Sequence, residues 1–202
     1  MTDPRQLGTL SVEAKRELLK TLLSVRDGAA TGQYPLSPGQ QGLWFVYQLA
    51  PSSPAYNFLF AARLPASTDL DALTKAFQTL LCRHPALRTR FSLKDGKPTQ
   101  QVEAEMPVEL PRLDASAWPW PELVAKLKAR GDAPFDLERG PAFRAEFFCR
   151  ADETVLLLVF HHIIADLWSM DLLIEELKEL YASRKRGQEL NLSLPRGGFG
   201  DY

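Results

Sequence analysis

Cysteine and histidine, the residue types that mark disulfide frameworks and zinc sites, are scarce in this chain, and basic residues are not in excess over acidic ones. Its 202 residues include two cysteines, Cys82 and Cys149, and three histidines. The cysteines lack CxxC or Cys-His spacing, so the sequence predicts neither a disulfide framework nor a zinc site, and we expect both to be core thiols. Lys and Arg number 24 against 25 Asp and Glu, which leaves a net charge of −1. Nucleic acid and anionic membranes are therefore not expected partners.

The chain also lacks a long apolar run. The longest, Val155 to Phe160, is far shorter than the roughly 20 residues that a membrane helix needs. The first residues, with Thr2, Asp3 and Arg5, lack the apolar stretch of a signal peptide, so we expect a cytoplasmic protein. What the sequence does have is 45% hydrophobic and 10% aromatic residues, enough for a sizeable core.

Hydrophobic periodicity predicts two regions, a helical linker over residues 1–32 and one folded lobe over residues 33–202. The linker pattern, carried by Leu18, Leu19, Leu22 and Leu23, fits either a packing helix of the lobe or a connector from an upstream module. The tail from Asn191 to Tyr202 is rich in Gly and Pro and has no predicted element.

Helices and strands alternate irregularly along the lobe. We predict strands at Tyr56–Leu64, Leu87–Leu93, Thr99–Val102, Ala142–Cys149 and Thr154–Phe160. We predict a buried helix from Ser37 to before Pro51, and others from Leu70 to Pro85, through Leu123 and Leu127, and from Trp168 to Ser183. A hairpin at Asp95-Gly96 argues against a doubly wound parallel sheet. The expected fold is α+β, an α/β two-layer sandwich with a mixed β-sheet covered by helices.

Two histidines follow the most apolar predicted strand. Thr154–Phe160 is apolar after its first residue, which predicts a strand buried on both faces near the middle of the sheet. Adjacent side chains of a strand point to opposite faces, so one of His161 and His162 is expected to be structural and the other exposed to substrate. Histidine can accept a proton from an amine or hydroxyl nucleophile, which suits acyl transfer without a covalent enzyme intermediate.

Asp166 lies four residues after His162, where its carboxylate could fix the loop and the tautomer of the ring. Two other interpretations stay open. Asp166 could merely cap the helix of Trp168 while both histidines are satisfied core residues. Alternatively, the three side chains could hold a metal ion, although adjacent histidines converge poorly on one ion and no distant ligand accompanies them.

Three motifs occur in order along the chain, Ser37 to Trp44, Arg83 to Phe91 and His161 to Asp166. They resemble motifs of nonribosomal peptide synthetase condensation domains, and the last of them is similar to the HHxxxDG signature. Upstream, Ser37 to Trp44 resembles the first motif of the family, and Arg83 to Phe91 resembles the second, usually written RHExLRTxF. Pro134 to Pro141 is similar to a phrase common in the family, so the resemblance spans about Tyr34 to Tyr202.

The resemblance implies one chloramphenicol-acetyltransferase-like lobe of a two-lobe domain, with the carboxy-terminal lobe outside this chain. It places His162 at the tunnel where a donor thioester and an acceptor amine meet, as a base or a positioning group. His161, Asp166 and Arg88 would support the site, with Arg88 reaching Asp166 from a strand as an ion-pair donor. No cofactor or metal would bind directly. Donor and acceptor carrier proteins would bring substrates on 4′-phosphopantetheine arms, and neighbouring synthetase domains would be further partners.

Three positions depart from the family's motifs. Leu167 stands where the signature has glycine, so either the loop takes ordinary dihedral angles or the passage for a substrate is narrower than usual. We expect Leu167, Trp168 and Ser169 to contribute to a substrate channel. Pro85 replaces a glutamate and Gly42 an arginine, each of which removes a charge from the scaffold.

The function implied is amide-bond formation within a nonribosomal peptide synthetase, with a hybrid that includes polyketide modules as one setting. The 202 residues alone are expected to be inactive. Two alternatives are a non-catalytic module that recruits carrier proteins or enzymes and a free-standing acyltransferase of the same fold. The donor, the acceptor and the product stay open.

Overall fold

The computed structural model describes residues 31–106 and 109–187. The strands are β1 (Gly32–Pro35), β2 (Asn57–Pro65), β3 (Thr89–Lys94), β4 (Lys97–Val102), β5 (Arg112–Asp114), β6 (Phe143–Cys149) and β7 (Glu153–His161). The helices are α1 (Pro38–Leu49), α2 (Leu70–Arg83), α3 (Trp120–Gly131) and α4 (Leu167–Lys185), with a 3₁₀ turn at Pro85–Arg88. The predicted linker lies outside the described residues except at Thr31 and Gly32. The tail from Asn191 lies wholly outside them. Gly32 already begins β1.

The main sheet has four strands in the order β2-β7-β6-β5. The central strand β7 is antiparallel to β2 and β6, with Asn57 opposite His161, whereas β5 runs parallel to β6. The predicted mixed sheet of an α+β fold is therefore confirmed. The β3–β4 hairpin does not join this sheet but forms a separate antiparallel sheet with β1, in the order β1-β4-β3.

Helices cover both faces of the main sheet. On β2, Leu59 packs against Gly131 at the end of α3, while the next residue, Phe60, lines a cavity with Leu73 of α2 and Leu177 of α4. Since neighbouring side chains of a strand face opposite ways, α3 lies on one face and the packed pair α2 and α4 on the other. All nine residues of β7 are buried between them, which confirms the predicted buried strand.

Local capping signals explain where the helices begin and end. The Ser37 hydroxyl accepts from the Gln40 N–H at 3.3 Å, and the Gln40 side chain accepts from the Ser37 N–H at 3.0 Å, a complete capping box for α1. Helix α2 ends two residues before Pro85, because a residue that precedes proline avoids helical geometry. Helix α4 is followed by Gly187 at φ 65°, as its predicted end requires.

The strand predicted from Leu87 begins only at Thr89. Pro85 presets the φ angle of a 3₁₀ turn that takes in Leu87 and Arg88. The Thr89 hydroxyl donates to the Pro85 carbonyl at 2.8 Å and closes this turn. The three-residue strand β5 is a further element that the sequence did not predict, because so short a segment has no periodicity of its own.

Two predictions of burial are wrong. Cys82 is exposed, not a core thiol, and Cys149 is partly buried. Helix α1 buries Gln40 and Trp44 but leaves Phe45 62% exposed, so it lies at the surface of the lobe.

None of the helices in residues 31–106 and 109–187 combines the length and apolar character that crossing a bilayer requires.

Phe147→Ala is expected to lower the free energy of unfolding by about 3–5 kcal/mol, because Phe147 is fully buried in β6 and alanine would leave a cavity. Urea unfolding followed by circular dichroism measures the change. Leu93→Ala is the control, since Leu93 is 54% exposed and its loss should change stability by no more than about 0.5 kcal/mol. Equal losses in the two variants would contradict the assigned burial.

Candidate active site

Strand β7 ends at the histidine pair. The N–H of its last residue, His161, donates to the Ala142 carbonyl at 2.9 Å, and the His162 N–H donates to the Tyr56 carbonyl at 2.8 Å. The two rings leave the extended backbone on opposite sides. His161 is 5% exposed, whereas His162 is open to solvent. The expected separation of a buried and an accessible imidazole is present in the structure.

The His161 ring lies among aromatic side chains. The ring centroids of Tyr56 and Phe135 are 6.4 and 6.3 Å from it. Its Nδ1 accepts from the Ile163 N–H at 3.1 Å, so the neutral ring carries its proton on Nε2. Burial, with a smaller contribution from His162, lowers the pKa of His161 to about 4. The ring is therefore uncharged at neutral pH.

The exposed ring of His162 is held by one backbone contact. Its Nδ1 lies 2.8 Å from the carbonyl oxygen of Ala165. A carbonyl oxygen can only accept a hydrogen bond, so Nδ1 is the protonated nitrogen of the neutral ring and Nε2 carries the lone pair. The Phe58 ring meets the imidazole edge-on, with centroids 5.9 Å apart. This arrangement can accept a proton or a hydrogen bond from an amine at Nε2.

Asp166 caps helix α4. Its Oδ1 accepts from the Ser169 N–H at 2.8 Å and from the Ser169 hydroxyl at 2.6 Å. These two hydrogen bonds, the hydroxyl contributing most, lower the pKa of the Asp166 carboxyl. Asp166 therefore acts as a helix cap, as one interpretation of the sequence held. The same interpretation made both histidines core residues, which is correct for His161 but not for the exposed His162.

The predicted ion pair between Arg88 and Asp166 is wrong, since no ion pair among the described residues joins them. Arg88 lies in the 3₁₀ turn and not on a strand, and it is 2% exposed. The turn directs its guanidinium toward the last carbonyls of α2 and the segment after β4. It donates to the carbonyl oxygens of Leu81, Cys82, Glu103 and Ala104. Burial lowers the pKa of Arg88, and the negative end of the α2 dipole favours a cation there.

The first turn of α4 faces solvent beside the histidine turn. Leu167 and Trp168 are 75% and 84% exposed, and Ser169 is partly buried. Leu167 opens the helix with ordinary dihedral angles, since Asp95 is the one non-glycine residue with positive φ in the described ranges. The glycine of the family signature is therefore not required here for backbone geometry.

Gln40 is a residue of this region that the sequence analysis missed. It is 7% exposed, and its Nε2 donates to the Ile163 carbonyl at 3.3 Å, between the histidines and Asp166. Gln40 lies one helical turn before the buried Trp44, and this spacing is the signal that could have indicated its burial.

Within residues 31–106 and 109–187, no three His, Cys, Asp or Glu side chains cluster in a way that could hold a metal ion.

Known proteins match this chain along most of its length. It is 41% identical over 173 residues to one of the linear gramicidin synthase proteins of Brevibacillus parabrevis, and 37% identical over 174 residues to chondramide synthase cmdD of Chondromyces crocatus. Each match covers 83% of this chain but only 2% and 4% of the two synthases. The chain thus spans a few per cent of the length of these relatives.

Solved structures share the fold. The starter condensation domain of rhizomide synthetase RzmA superimposes with a TM-score of 0.73 at 23% identity, over 80% of this chain and 40% of that one. A four-domain nonribosomal peptide synthetase bound to AMP and glycine gives a TM-score of 0.70 at 22% identity, over 75% of this chain and 12% of that one. The family model described as "Condensation domain" matches residues 30–202. The chain therefore belongs to the condensation-domain family.

Proposed function

We propose that this chain provides the histidine side of an active site that forms amide bonds in a nonribosomal peptide synthetase. A carrier-bound acyl or peptidyl thioester would be the donor and a carrier-bound amine the acceptor. The observation that carries the proposal is the exposed His162 ring, whose Nδ1–H is bonded to the Ala165 carbonyl so that Nε2 keeps its lone pair. The synthases that match the chain, those of linear gramicidin and bacitracin among them, support this reaction class.

For this reaction the protein would have to position the two substrates and to assist transfer of the amine proton. The amine nitrogen attacks the thioester carbonyl carbon, a C–N bond forms, the C–S bond breaks, and the thiolate takes up a proton. Nε2 of His162 either removes the proton from the amine or holds the amine by a hydrogen bond. No soluble cofactor is consumed. The substrates would arrive on 4′-phosphopantetheine arms of donor and acceptor carrier proteins.

Three residues would support His162 without contacting substrate. His161 would anchor the end of β7 as a neutral ring, and Asp166 would fix the start of α4 through Ser169. Arg88 would tie the end of α2 to the segment after β4, and not to Asp166 as the family resemblance implied. Their contribution is structural order around the exposed imidazole.

The exposed first turn of α4 supports a substrate channel beside His162. Leu167 and Trp168 present apolar surface there, and Leu172 on the same helix is 54% exposed. An exposed apolar patch of this kind usually marks an interaction surface. A carboxy-terminal lobe would cover it and complete the channel, as the 40% coverage of the RzmA domain suggests. The 202 residues alone should then catalyse little or nothing.

His162→Ala is expected to lower kcat for amide formation by about 100-fold or more, because Nε2 is removed. The assay uses the two-lobe synthetase that contains this chain, with donor and acceptor loaded on carriers and the product detected by intact mass of the acceptor carrier. The melting temperature should stay close to that of the wild type, since His162 is exposed. The 202-residue chain alone is the matched control.

Full activity in folded His162→Ala would contradict the proposal. Amide formation by the 202 residues alone that is lost in His162→Ala would contradict only the expectation that these residues are inactive without a second lobe. No product from folded wild type across several donor classes would favour a recruiting module without catalysis. A product from a lone two-lobe chain with coenzyme A thioesters would favour the free-standing acyltransferase.

Asp166→Asn is expected to keep activity within about threefold of the wild type, because asparagine caps helices about as well as aspartate. Asp166→Ala should lower the free energy of unfolding by about 0.5–2 kcal/mol, since the first turn of α4 loses its cap. The condensation assay and urea unfolding measure the two effects. A large loss of activity in well-folded Asp166→Asn would show that the carboxylate charge is itself required.

The stability of the chain is expected to depend on His161 between about pH 6.5 and 4. The pKa of His161 falls from 6.5 to about 4 on folding, so in this window the unfolded chain binds a proton that the folded chain excludes. The contribution is complete above pH 6.5 and is lost as the pH falls toward 4. Relative to His161→Gln, the wild type should lose about 2–3 kcal/mol over this range in urea unfolding. Identical pH profiles would contradict the buried neutral ring.

A further inference from the structure

Two buried glutamine side chains form a hydrogen-bonded pair, and one of them contacts the turn that follows the histidines. Gln40 of α1 and Gln100 of β4 are 7% and 2% exposed. Their amides bond to each other, with Gln40 Nε2 3.2 Å from Gln100 Oε1. A buried amide is destabilising unless its polar atoms are paired. The other hydrogen-bond partners of the two side chains therefore indicate which segments the pair holds together.

Backbone groups fix the orientation of both amides. Gln40 Oε1 accepts from the Ser37 N–H at 3.0 Å, and its Nε2 donates to the Ile163 carbonyl at 3.3 Å. Gln100 Nε2 donates to the Pro35 carbonyl at 2.9 Å. Rotating either amide by half a turn would set its oxygen against a carbonyl oxygen, so one orientation satisfies all of these partners.

Ile163 is thereby held at both of its backbone polar groups. Its N–H donates to Nδ1 of the buried His161 at 3.1 Å, and its carbonyl accepts from Gln40. Two residues later, the Ala165 carbonyl accepts from Nδ1 of His162 at 2.8 Å. The direction of the Ala165 carbonyl depends on the backbone of the turn from 163 to 165. A side chain of α1 thus holds one end of the turn whose other end sets the tautomer of His162.

We propose that Gln40 is a positioning residue for His162. By holding the Ile163 carbonyl, its amide N–H keeps the Ala165 carbonyl directed at His162 Nδ1, and this leaves Nε2 as the acceptor. Without that contact the turn relaxes, and the neutral ring of His162 takes the other tautomer or rotates. The catalytic consequence rests on the proposed function of His162.

A purely structural role for Gln40 makes a different prediction, because the same side chain also completes the capping box of α1. Gln40→Glu keeps an oxygen for the Ser37 N–H but has no amide N–H for Ile163 or Gln100. Gln40→Met removes all three contacts. Gln41→Met is the matched control, since Gln41 donates to the Leu36 carbonyl at 3.0 Å from the same helix.

The test combines a spectroscopic and a kinetic measurement. Nuclear magnetic resonance of the 202-residue chain with ¹⁵N-labelled histidine reports which ring nitrogen of His162 carries the proton. Wild type and Gln41→Met should show Nδ1–H, while Gln40→Glu and Gln40→Met should show a mixture of tautomers. In the two-lobe synthetase, kcat of both Gln40 variants should fall at least about tenfold, with KM for the carrier-bound substrates changed less than about threefold.

A retained Nδ1–H tautomer, or kcat within about twofold of the wild type, in a folded Gln40 variant would overturn the positioning role. Circular dichroism shows whether each variant is folded. If Gln40→Met unfolds, the tautomer and kcat of Gln40→Glu alone test the positioning role. The resonance measurement needs no activity, so it separates this inference from the proposed function. A tautomer change in variants of a wild type that forms no amide would support the positioning role and overturn the function.

Discussion

Burial of β7 on both faces is the constraint from which the rest of the site follows. With α3 on one side and α2 and α4 on the other, all nine residues of β7 are buried, and the run from Val155 to Phe160 is entirely apolar. The alternation of the strand then sends one histidine inward and the next outward where the sheet ends. His161 becomes a buried neutral ring, and His162 becomes an accessible imidazole, to which the proposed function assigns the role of base or hydrogen-bond acceptor.

Buried or partly buried polar side chains around this strand donate to backbone carbonyls of other segments. Arg88 bonds the end of α2 and the segment after β4, while Gln40 bonds the turn that follows His162. Asn57 at the start of β2 donates to the carbonyls of Gly131 and Ala133 at 2.9 Å each. The contacts with Ala104, Ile163 and Ala133 fix segments without regular structure. Such order is what the proposed positioning of an amine and a thioester would require.

The two sides of the histidine pair differ in what they offer a ligand. Around His161 the aromatic rings of Tyr56 and Phe135 exclude water and hold the ring neutral. On the His162 side, the first turn of α4 exposes Leu167 and Trp168. An acyl or peptidyl chain would gain from contact with such apolar surface, so under the proposed function the substrate would lie on the side of His162.

The sequence by itself determined what depends on neighbours in the chain. The apolar run of β7, the capping signals of α1 and α4, and the opposite directions of His161 and His162 all follow from local spacing, and the order of the motifs indicated the family. Neither the 3₁₀ turn that carries Arg88 nor the strand β5 was predicted, because each depends on what packs around a short segment.

Only the tertiary structure decided the partners of the buried polar groups. The contact of Gln40 with Ile163 joins residues 123 positions apart, and that of Gln40 with Gln100 joins residues 60 positions apart. The register of a sheet and the packing of its helices bring such groups together. Local sequence preferences do not determine which distant groups come into contact. The sequence around Gln40 therefore indicated its place in the capping box but not its hydrogen bond to the Ile163 carbonyl, which depends on the tertiary fold.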